Sequence, residues 1–210
     1  MWEGKNVTVF VTGGIAAFKA ATLVRLFVKA GANVEVAMTK SACEFITPLT
    51  FQVLTKNKVH TDTFDEDEAD RVQHIHLADK TDVAVVVPAT ANTIAKLANG
   101  IADNFVTSTL LAITAPIYVA PAMNEHMWEN PATVRNVAQL KADGKVIIEP
   151  ATGFLAEGYN GKGRLPEPEE IFEQVTFFES RREYKSPLEG KKILITAGGT
   201  KERIDPVRYI

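Results

Sequence analysis

The sequence contains a single cysteine, Cys43, among its 210 residues. One cysteine excludes an intrachain disulfide and a thiolate metal cluster, and we expect no metal site. No apolar run approaches the roughly 20 residues that span a bilayer, and the first ten residues lack the charged head and apolar stretch of a signal peptide. A net charge of −3 argues against nucleic acid as a partner. These absences predict a cytoplasmic protein without a membrane partner.

Short apolar runs alternate with helical stretches along the chain. The runs cover residues 7–11, 34–38, 83–87, 117–120 and 146–148. Their nearly continuous hydrophobicity predicts strands buried on both faces of a mainly parallel sheet. Apolar residues from Leu23 to Ala30 lie at helical spacing ahead of Gly31, and a second helix is predicted from Pro131 towards Gly144. This pattern is typical of a Rossmann-like (flavodoxin-like), doubly wound α/β fold.

Two loops after predicted strands carry residues suited to a nucleotide. Gly13, Gly14 and Ile15 lead into a helix, whose amino-terminal N–H groups favour a phosphate. Their spacing fits neither the dinucleotide fingerprint nor the P-loop, which favours a mononucleotide over NAD or ATP. Residues 90–93 can cap a helix or bond a planar polar ring. Together the loops meet the needs of flavin mononucleotide (FMN), although a tight turn without ligand also explains the glycines.

Two further polar positions are candidates for chemistry. Asn124 follows the strand at residues 117–120, at the edge where open α/β sheets bind ligands. Asparagine also favours turns for local reasons, so a turn is the simpler interpretation of this residue alone. His74 and His76 can each serve as acid or base near neutral pH. A structural role is simpler for a lone histidine, and the residues alone do not choose between these two.

Five segments, in order along the chain, resemble the phosphopantothenoylcysteine decarboxylase domain of the bifunctional coenzyme A biosynthesis flavoprotein. The segments are residues 12–20, 74–82, 88–104, 121–128 and 153–165. Residues 190–210 resemble the start of the partner domain, the phosphopantothenate–cysteine ligase. The resemblance implies a decarboxylase domain at 1–178, a linker at 179–189 and a truncated ligase start at 190–210. No ligase activity is expected from this ligase start. It is shorter than the roughly 40 residues below which small domains usually need disulfides, metals or oligomerisation to fold.

The resemblance assigns site residues by position. The implied FMN contacts are Gly13, Gly14, Ile15, Thr39, Ser41, Thr90, Ala91, Asn92, Thr93 and Ala122. The acid/base group falls on His74, because the family motif is H-I-x-L, and the ligand of the substrate carboxylate falls on Asn124. Further substrate contacts fall on Met127, Ala156 and Gly158. These relatives are homo-oligomers of trimers, often dodecamers, with the flavin at a subunit interface, and the same is implied here.

One departure from the family concerns the proton donor. The family motif usually reads G-x-L-A-C-G, whereas residues 153–158 read GFLAEG. Glu157 therefore occupies the donor position as a candidate catalytic residue, and a thiol cannot serve there. The glycine-rich segment 153–163 is expected to form a flexible lid over the substrate.

The implied reaction is FMN-dependent decarboxylation of 4′-phosphopantothenoylcysteine to 4′-phosphopantetheine in coenzyme A biosynthesis. Oxidation of the thiol creates an electron sink, carbon dioxide leaves, and the enethiol is reduced again. Oxidative-only peptidyl-cysteine decarboxylases also lack the donor cysteine, so Glu157 keeps that alternative open. A non-catalytic regulatory flavoprotein is poorly supported by the short acidic run at 62–70. The flavin prenyltransferase branch lacks the combination of H-I-x-L and PAMN.

Overall fold

The computed structural model describes residues 1–64, 72–183, 190–194 and 196. Six parallel strands form the main sheet: β1 Asn6–Val11, β2 Asn33–Met38, β3 Val59–His60, β4 Val83–Ala89, β5 Ile117–Pro121 and β6 Val146–Ile147. Their order is β3-β2-β1-β4-β5-β6. The strand order reverses between β1 and β4, and ligands of open α/β sheets bind at this point, outside the carboxyl ends of the strands.

Helices cover both faces of the sheet. In chain order they are α1 Ala17–Lys29, α2 Lys40–Cys43, α3 Pro48–Thr55, α4 Gln73–Lys80, α5 Ala91–Ala98, α6 Phe105–Ala112, α7 Glu125–Glu129, α8 Pro131–Ala142 and α9 Pro168–Glu183. The predicted helices after β1 and from Pro131 are confirmed, and Gly31 follows α1 with a φ of 91°. None of these helices is long and apolar enough to span a membrane.

Alternating side chains of the strands build one core on each face of the sheet. On β1, Val9 packs into the cluster that contains Phe27 of α1, whereas Phe10 packs into the cluster that contains Ile94 of α5 and Leu140 of α8. All of β4 is buried. This two-sided burial explains the nearly continuous hydrophobicity of the strands that the sequence showed.

The long helix α9 is bonded to the rest of the domain. Tyr118 Oη, on β5, donates a 2.6 Å hydrogen bond to Glu179 Oε1, and Trp2 Nε1 donates a 3.0 Å bond to Thr176 Oγ1. Burial, together with the neighbouring Glu179 carboxylate, raises the pKa of Tyr118. These buried bonds make α9 part of the domain and hold it against β5 and the amino terminus.

The segment expected to form a flexible lid folds as a β-hairpin. Strands β7 Ala151–Phe154 and β8 Asn160–Arg164 pair antiparallel. Gly163 N–H and C=O face the turn after β5, where Met123 N donates to Gly163 O at 3.0 Å. A Cβ at Gly163 would collide with the carbonyl oxygen of Met123. Glycine at this position serves close packing of two backbones, and the expected movement of the segment as a lid stays a prediction.

Candidate functional site

Two adjoining cavities lie at the carboxyl edge of the sheet, and they share Gly13 and Thr90. The polar cavity has a volume of about 490 Å³ and is lined by Gly13, Thr39, Ser41, Thr90, Asn92, Thr93, Asn104 and Phe105, among others. The Asn124 cavity has a volume of about 630 Å³ and is lined by Gly13, Gly14, Ile15, Thr90, Ala91, Ala122, Asn124, Met127, Ala156 and Glu157, among others. Both volumes are typical of small-molecule sites.

The amino termini of two helices, α5 and α6, border the polar cavity. Thr90 caps α5, because its Oγ1 accepts from Thr93 N at 3.2 Å. Asn104 caps α6 in the same way, with its Oδ1 accepting from Thr107 N at 3.1 Å. The amino-terminal ends of two eight-residue helices therefore point at one cavity, and such ends favour an anion.

The wall between the cavities depends on close approach of two loops. A Cβ at Gly13 would collide with the side chain of Ser41, so only glycine lets the loop after β1 lie against the loop after β2. Gly14 has no atom within 4 Å of its Cβ position and borders open space. Thr12 Oγ1 donates to Pro88 O at 2.6 Å and accepts from Thr90 N at 3.0 Å, which ties the ends of β1 and β4 together.

Asn124 uses every hydrogen-bonding side of its amide. Its Oδ1 accepts from His126 N at 2.9 Å and so caps α7. Its Nδ2 donates to Glu157 Oε1 at 3.0 Å and to the hydroxyl of Tyr159 at 2.8 Å. The helix-cap and functional interpretations are therefore compatible, because the Asn124 oxygen caps α7 while its nitrogen remains a donor at the cavity.

The other end of the Asn124 cavity is positively charged. Lys19 Nζ donates to Glu167 Oε1 at 2.9 Å and to Leu165 O at 3.1 Å. Arg164 Nη2 donates to the same Glu167 oxygen at 2.7 Å. The hydrogen bond from Lys19, with support from Arg164, holds the pKa of Glu167 below its usual value. Both cations line the cavity and share one carboxylate, which leaves excess positive charge there.

His74 lies apart from Asn124 within one chain. It sits half-buried on α4, with its ring edge-on to Phe105 at a centroid distance of 6.5 Å. Phe105 lines the polar cavity, but His74 is absent from the described lining of both cavities. The structure therefore does not bring the two predicted catalytic residues together in a single subunit.

A partly buried ionic cluster contacts Phe105. His60 stacks on the Phe105 ring at 5.0 Å, and His60 Nε2 lies 3.2 Å from Glu35 Oε2. Lys80 also donates to Glu35. Burial alone would raise the pKa of Glu35, but the hydrogen bonds from His60 and Lys80 lower it below its ordinary value. The cluster fixes the end of β3 and one wall of the polar cavity.

The predicted cofactor residues all line one cavity or the other. Of the predicted substrate contacts, Met127 and Ala156 line the Asn124 cavity, whereas Gly158 lies in the hairpin turn with a φ of 93°. Sequence reasoning missed Phe105 and Tyr159. Asn104, also missed, ends the segment 88–104, and its place before an apolar run was a readable capping signal. Tyr159 gave no such signal, because its role depends on a hairpin that was not predicted.

Known proteins resemble the chain over its whole length. Residues 1–178 match the Flavoprotein family, and residues 188–210 match the DNA/pantothenate metabolism flavoprotein C-terminal domain. The chain is 54% identical over 209 residues to the coenzyme A biosynthesis bifunctional protein CoaBC of Bacillus subtilis, covering 100% of this chain and 51% of the relative. The protein of the same name from Mycobacterium tuberculosis is 47% identical, with 98% and 49% covered. The chain thus spans about half the length of these curated relatives.

Solved structures share the fold. A PPC decarboxylase mutant complexed with pantothenoylaminoethenethiol is 34% identical with a TM-score of 0.76, covering 85% of this chain and 100% of that one. The FMN-binding protein AtHal3 is 34% identical with a TM-score of 0.74, covering 87% and 100%. The FMN-dependent cysteine decarboxylase SpaF is 32% identical with a TM-score of 0.69, covering 83% and 99%. The chain belongs to the Flavoprotein family, and its cofactor is of the flavin class.

Proposed function

We propose that the protein catalyses FMN-dependent decarboxylation of 4′-phosphopantothenoylcysteine to 4′-phosphopantetheine, a step of coenzyme A biosynthesis. The main observation behind the proposal is the position of the Asn124 amide. Asn124 follows β5 and lines the same cavity as Gly13, Gly14 and Ile15, the loop predicted to contact the flavin. The name of the Bacillus subtilis relative and the decarboxylase structure support this substrate. The positive charge of Lys19 and Arg164 suits an anionic substrate at the far end of the same cavity.

The two cavities fit FMN as the flavin. We place its phosphate in the polar cavity, where α5 and α6 begin, and its ring against Gly14, Ile15 and Ala122 in the Asn124 cavity. The sequence alone predicted the phosphate at residues 13–15, but of these only Gly13 borders the polar cavity. A bound flavin supplies a two-electron acceptor for the substrate thiol, which creates the electron sink for loss of carbon dioxide.

The chain's own residues bind the substrate and move protons around it. Asn124 Nδ2 holds the carboxylate that is lost, in place of one of its present partners. His74 accepts and returns the thiol proton through an imidazole nitrogen. Glu157, which contacts Asn124, stands where relatives of this type carry a thiol, so the proton donor of the last step is another kind of group.

We further propose that the working protein is a homo-oligomer built on trimers, with a dodecamer as the expected larger assembly. In this assembly His74 of one subunit reaches the Asn124 cavity of its neighbour, because within one chain His74 lines neither cavity. Ile15, Phe18 and Phe154 at the mouth of that cavity are each at least 60% exposed, and a neighbouring subunit would cover them. The cytoplasmic location expected from the sequence stays a prediction.

To test the proposal, the FMN-loaded chain is incubated with 4′-phosphopantothenoylcysteine. The product mass is measured by mass spectrometry, and carbon dioxide release is measured in parallel. We expect carbon dioxide and 4′-phosphopantetheine, with the flavin-free protein as the control. A product lighter by two hydrogens would instead identify the oxidative-only decarboxylase, the alternative that Glu157 keeps open. A yellow protein that releases no carbon dioxide would contradict the proposal and favour a binding role.

A further inference from the structure

The turn between β7 and β8 brings a tyrosine hydroxyl to Asn124. Tyr159 Oη lies 2.8 Å from Asn124 Nδ2, and Glu157 Oε1 lies 3.0 Å from the same nitrogen. Two backbone bonds fix the turn: Leu155 N donates to Tyr159 O at 2.8 Å, and Gly158 N donates to Leu155 O at 3.0 Å. With Gly158 at a φ of 93°, the turn adopts a conformation that favours glycine. The hydroxyl is therefore held beside the residue proposed to bind the reacting carboxylate.

The direction of this hydrogen bond leaves the tyrosine proton free to be donated. An amide nitrogen only donates, so Tyr159 Oη is the acceptor, and its own hydrogen is not used in this bond. Among the described residues, no other partner takes that hydrogen. Tyr159 itself is absent from the described lining of the Asn124 cavity, but Asn124 lines it. A ligand bound to Asn124 Nδ2 therefore comes next to the Tyr159 hydroxyl and can accept its hydrogen.

Glu157 is a poorer donor than Tyr159 because it competes with the substrate for Asn124. Its Oε1 accepts from one N–H of Asn124 Nδ2, and one N–H cannot serve two carboxylates. A substrate carboxylate on Asn124 would displace Glu157, while the second N–H keeps its bond to Tyr159.

We propose that Tyr159 is the proton donor of the last step, in place of the thiol found in relatives; this inference rests on the proposed function. Loss of carbon dioxide leaves an electron pair in the C=C bond of an enethiolate. That pair takes the Tyr159 proton and forms a C–H bond at the carbon that carried the carboxylate, which leaves a C=S group. A bound flavin, reduced during thiol oxidation, would supply the hydride that completes the reduction at the carbon bearing sulfur. The resulting thiolate and the Tyr159 phenolate each regain a proton from water.

The decisive variant is Tyr159→Phe in the full FMN-loaded chain, with product masses and carbon dioxide both measured. With dioxygen present to reoxidise the reduced flavin, we expect carbon dioxide release to continue, while the yield of 4′-phosphopantetheine falls about 100-fold or more and a product lighter by two hydrogens replaces it. Flavin content, and the calorimetric affinity for 4′-phosphopantetheine, should match the unmodified chain, since the cavity keeps its shape. Undiminished 4′-phosphopantetheine, or loss of carbon dioxide release along with it, would overturn the inference.

Two further variants separate Tyr159 from Glu157. Glu157→Gln should keep 4′-phosphopantetheine as the main product, and a switch to the lighter product would make Glu157 the donor. Adding Glu157→Cys to Tyr159→Phe supplies a thiol on the same turn and should restore 4′-phosphopantetheine; an unrestored yield would count against a proton-donor role. If the unmodified chain forms no product, the proposed function itself fails, which differs from a failure confined to Tyr159.

Discussion

The polar cavity and the Asn124 cavity share a wall but differ in the groups they offer. The polar cavity is lined by hydroxyls, amides, the starts of α5 and α6 and two lysine–aspartate pairs. Its hydroxyls, amides and helix starts suit a tightly bound anion. The Asn124 cavity is lined mainly by apolar side chains, with Lys19 and Arg164 at one end and the Asn124–Glu157 pair at the other, which suits a reacting substrate. The difference suggests that holding the cofactor and carrying out the reaction are separable, so single changes should affect one without the other.

Replacing His74 should have the largest effect on decarboxylation. His74→Asn removes an acid/base group and should lower decarboxylation about 100- to 10,000-fold. Flavin content should be unchanged, because His74 is absent from the described lining of both cavities. Turnover and flavin absorbance are measured on the same sample. His76→Asn, an exposed histidine on the same helix, is the matched control and should be mild.

The position of His74 across a subunit boundary has its own check. Inactive His74→Asn and Asn124→Asp chains, unfolded and refolded together, should regain part of the activity, because some mixed sites carry both normal residues. Mixed oligomers that stay inactive would indicate that His74 and Asn124 act in the same subunit. That result would contradict the proposed site shared between subunits.

Asn124→Asp should affect the reaction and leave the cofactor in place. The change turns a hydrogen bond to a carboxylate into a like-charge contact, a loss of roughly 3 kcal/mol or about 100-fold in turnover. Asn130→Asp is the control, since Asn130 also caps a helix, with Oδ1 accepting from Ala132 N at 2.9 Å, yet lies outside the lining of both cavities. Near-normal turnover of Asn124→Asp would contradict the proposed role of Asn124 in binding the substrate carboxylate.

A third pair of variants shows which cavity holds the flavin phosphate. Asn92→Asp places a carboxylate in the polar cavity and should weaken FMN binding about tenfold more than riboflavin binding, since only FMN carries the phosphate. Gly14→Asp alters only the Asn124 cavity and should weaken both flavins alike. Fluorescence titration of the apoprotein measures both affinities. A selective loss of FMN in Gly14→Asp would return the phosphate to residues 13–15, as the sequence alone predicted.

The sequence predicted the parts of the site that lie directly after buried strands. The ends of β1, β4 and β5 could be located because two-sided burial makes these strands nearly continuously apolar. Strand β3 has two residues and so offers no period to detect. The hairpin was missed because β8 alternates exposed residues with Gly161 and Gly163, which have no apolar side chain to signal a buried face. The Tyr159–Asn124 contact joins residues 35 positions apart and depends on that hairpin.

A smaller effect is expected at the ionic cluster that contacts Phe105. Glu35→Gln weakens charge-assisted bonds from His60 and Lys80 and should lower the free energy of unfolding by about 1 kcal/mol at pH 7. The pKa of Glu35 is lowered in the folded chain, so its stabilisation is present above the ordinary carboxyl pKa and is lost as the pH falls below about 4. Denaturant unfolding at several pH values measures both chains. A stability difference that stays constant down to pH 3 would contradict this account.

The smallest expected effect is that of removing the tail. The described residues that line the two cavities fall between Gly13 and Leu165, and α9 is bonded to the domain through Glu179 and Thr176. Truncation after Tyr184 should therefore leave flavin content, oligomer size and decarboxylation unchanged. Absorbance, light scattering and carbon dioxide release on both chains measure this. Loss of any of the three would mean that residues 185–210 take part in the assembly, and the contrast between the two cavities would then have to include a contribution from the tail.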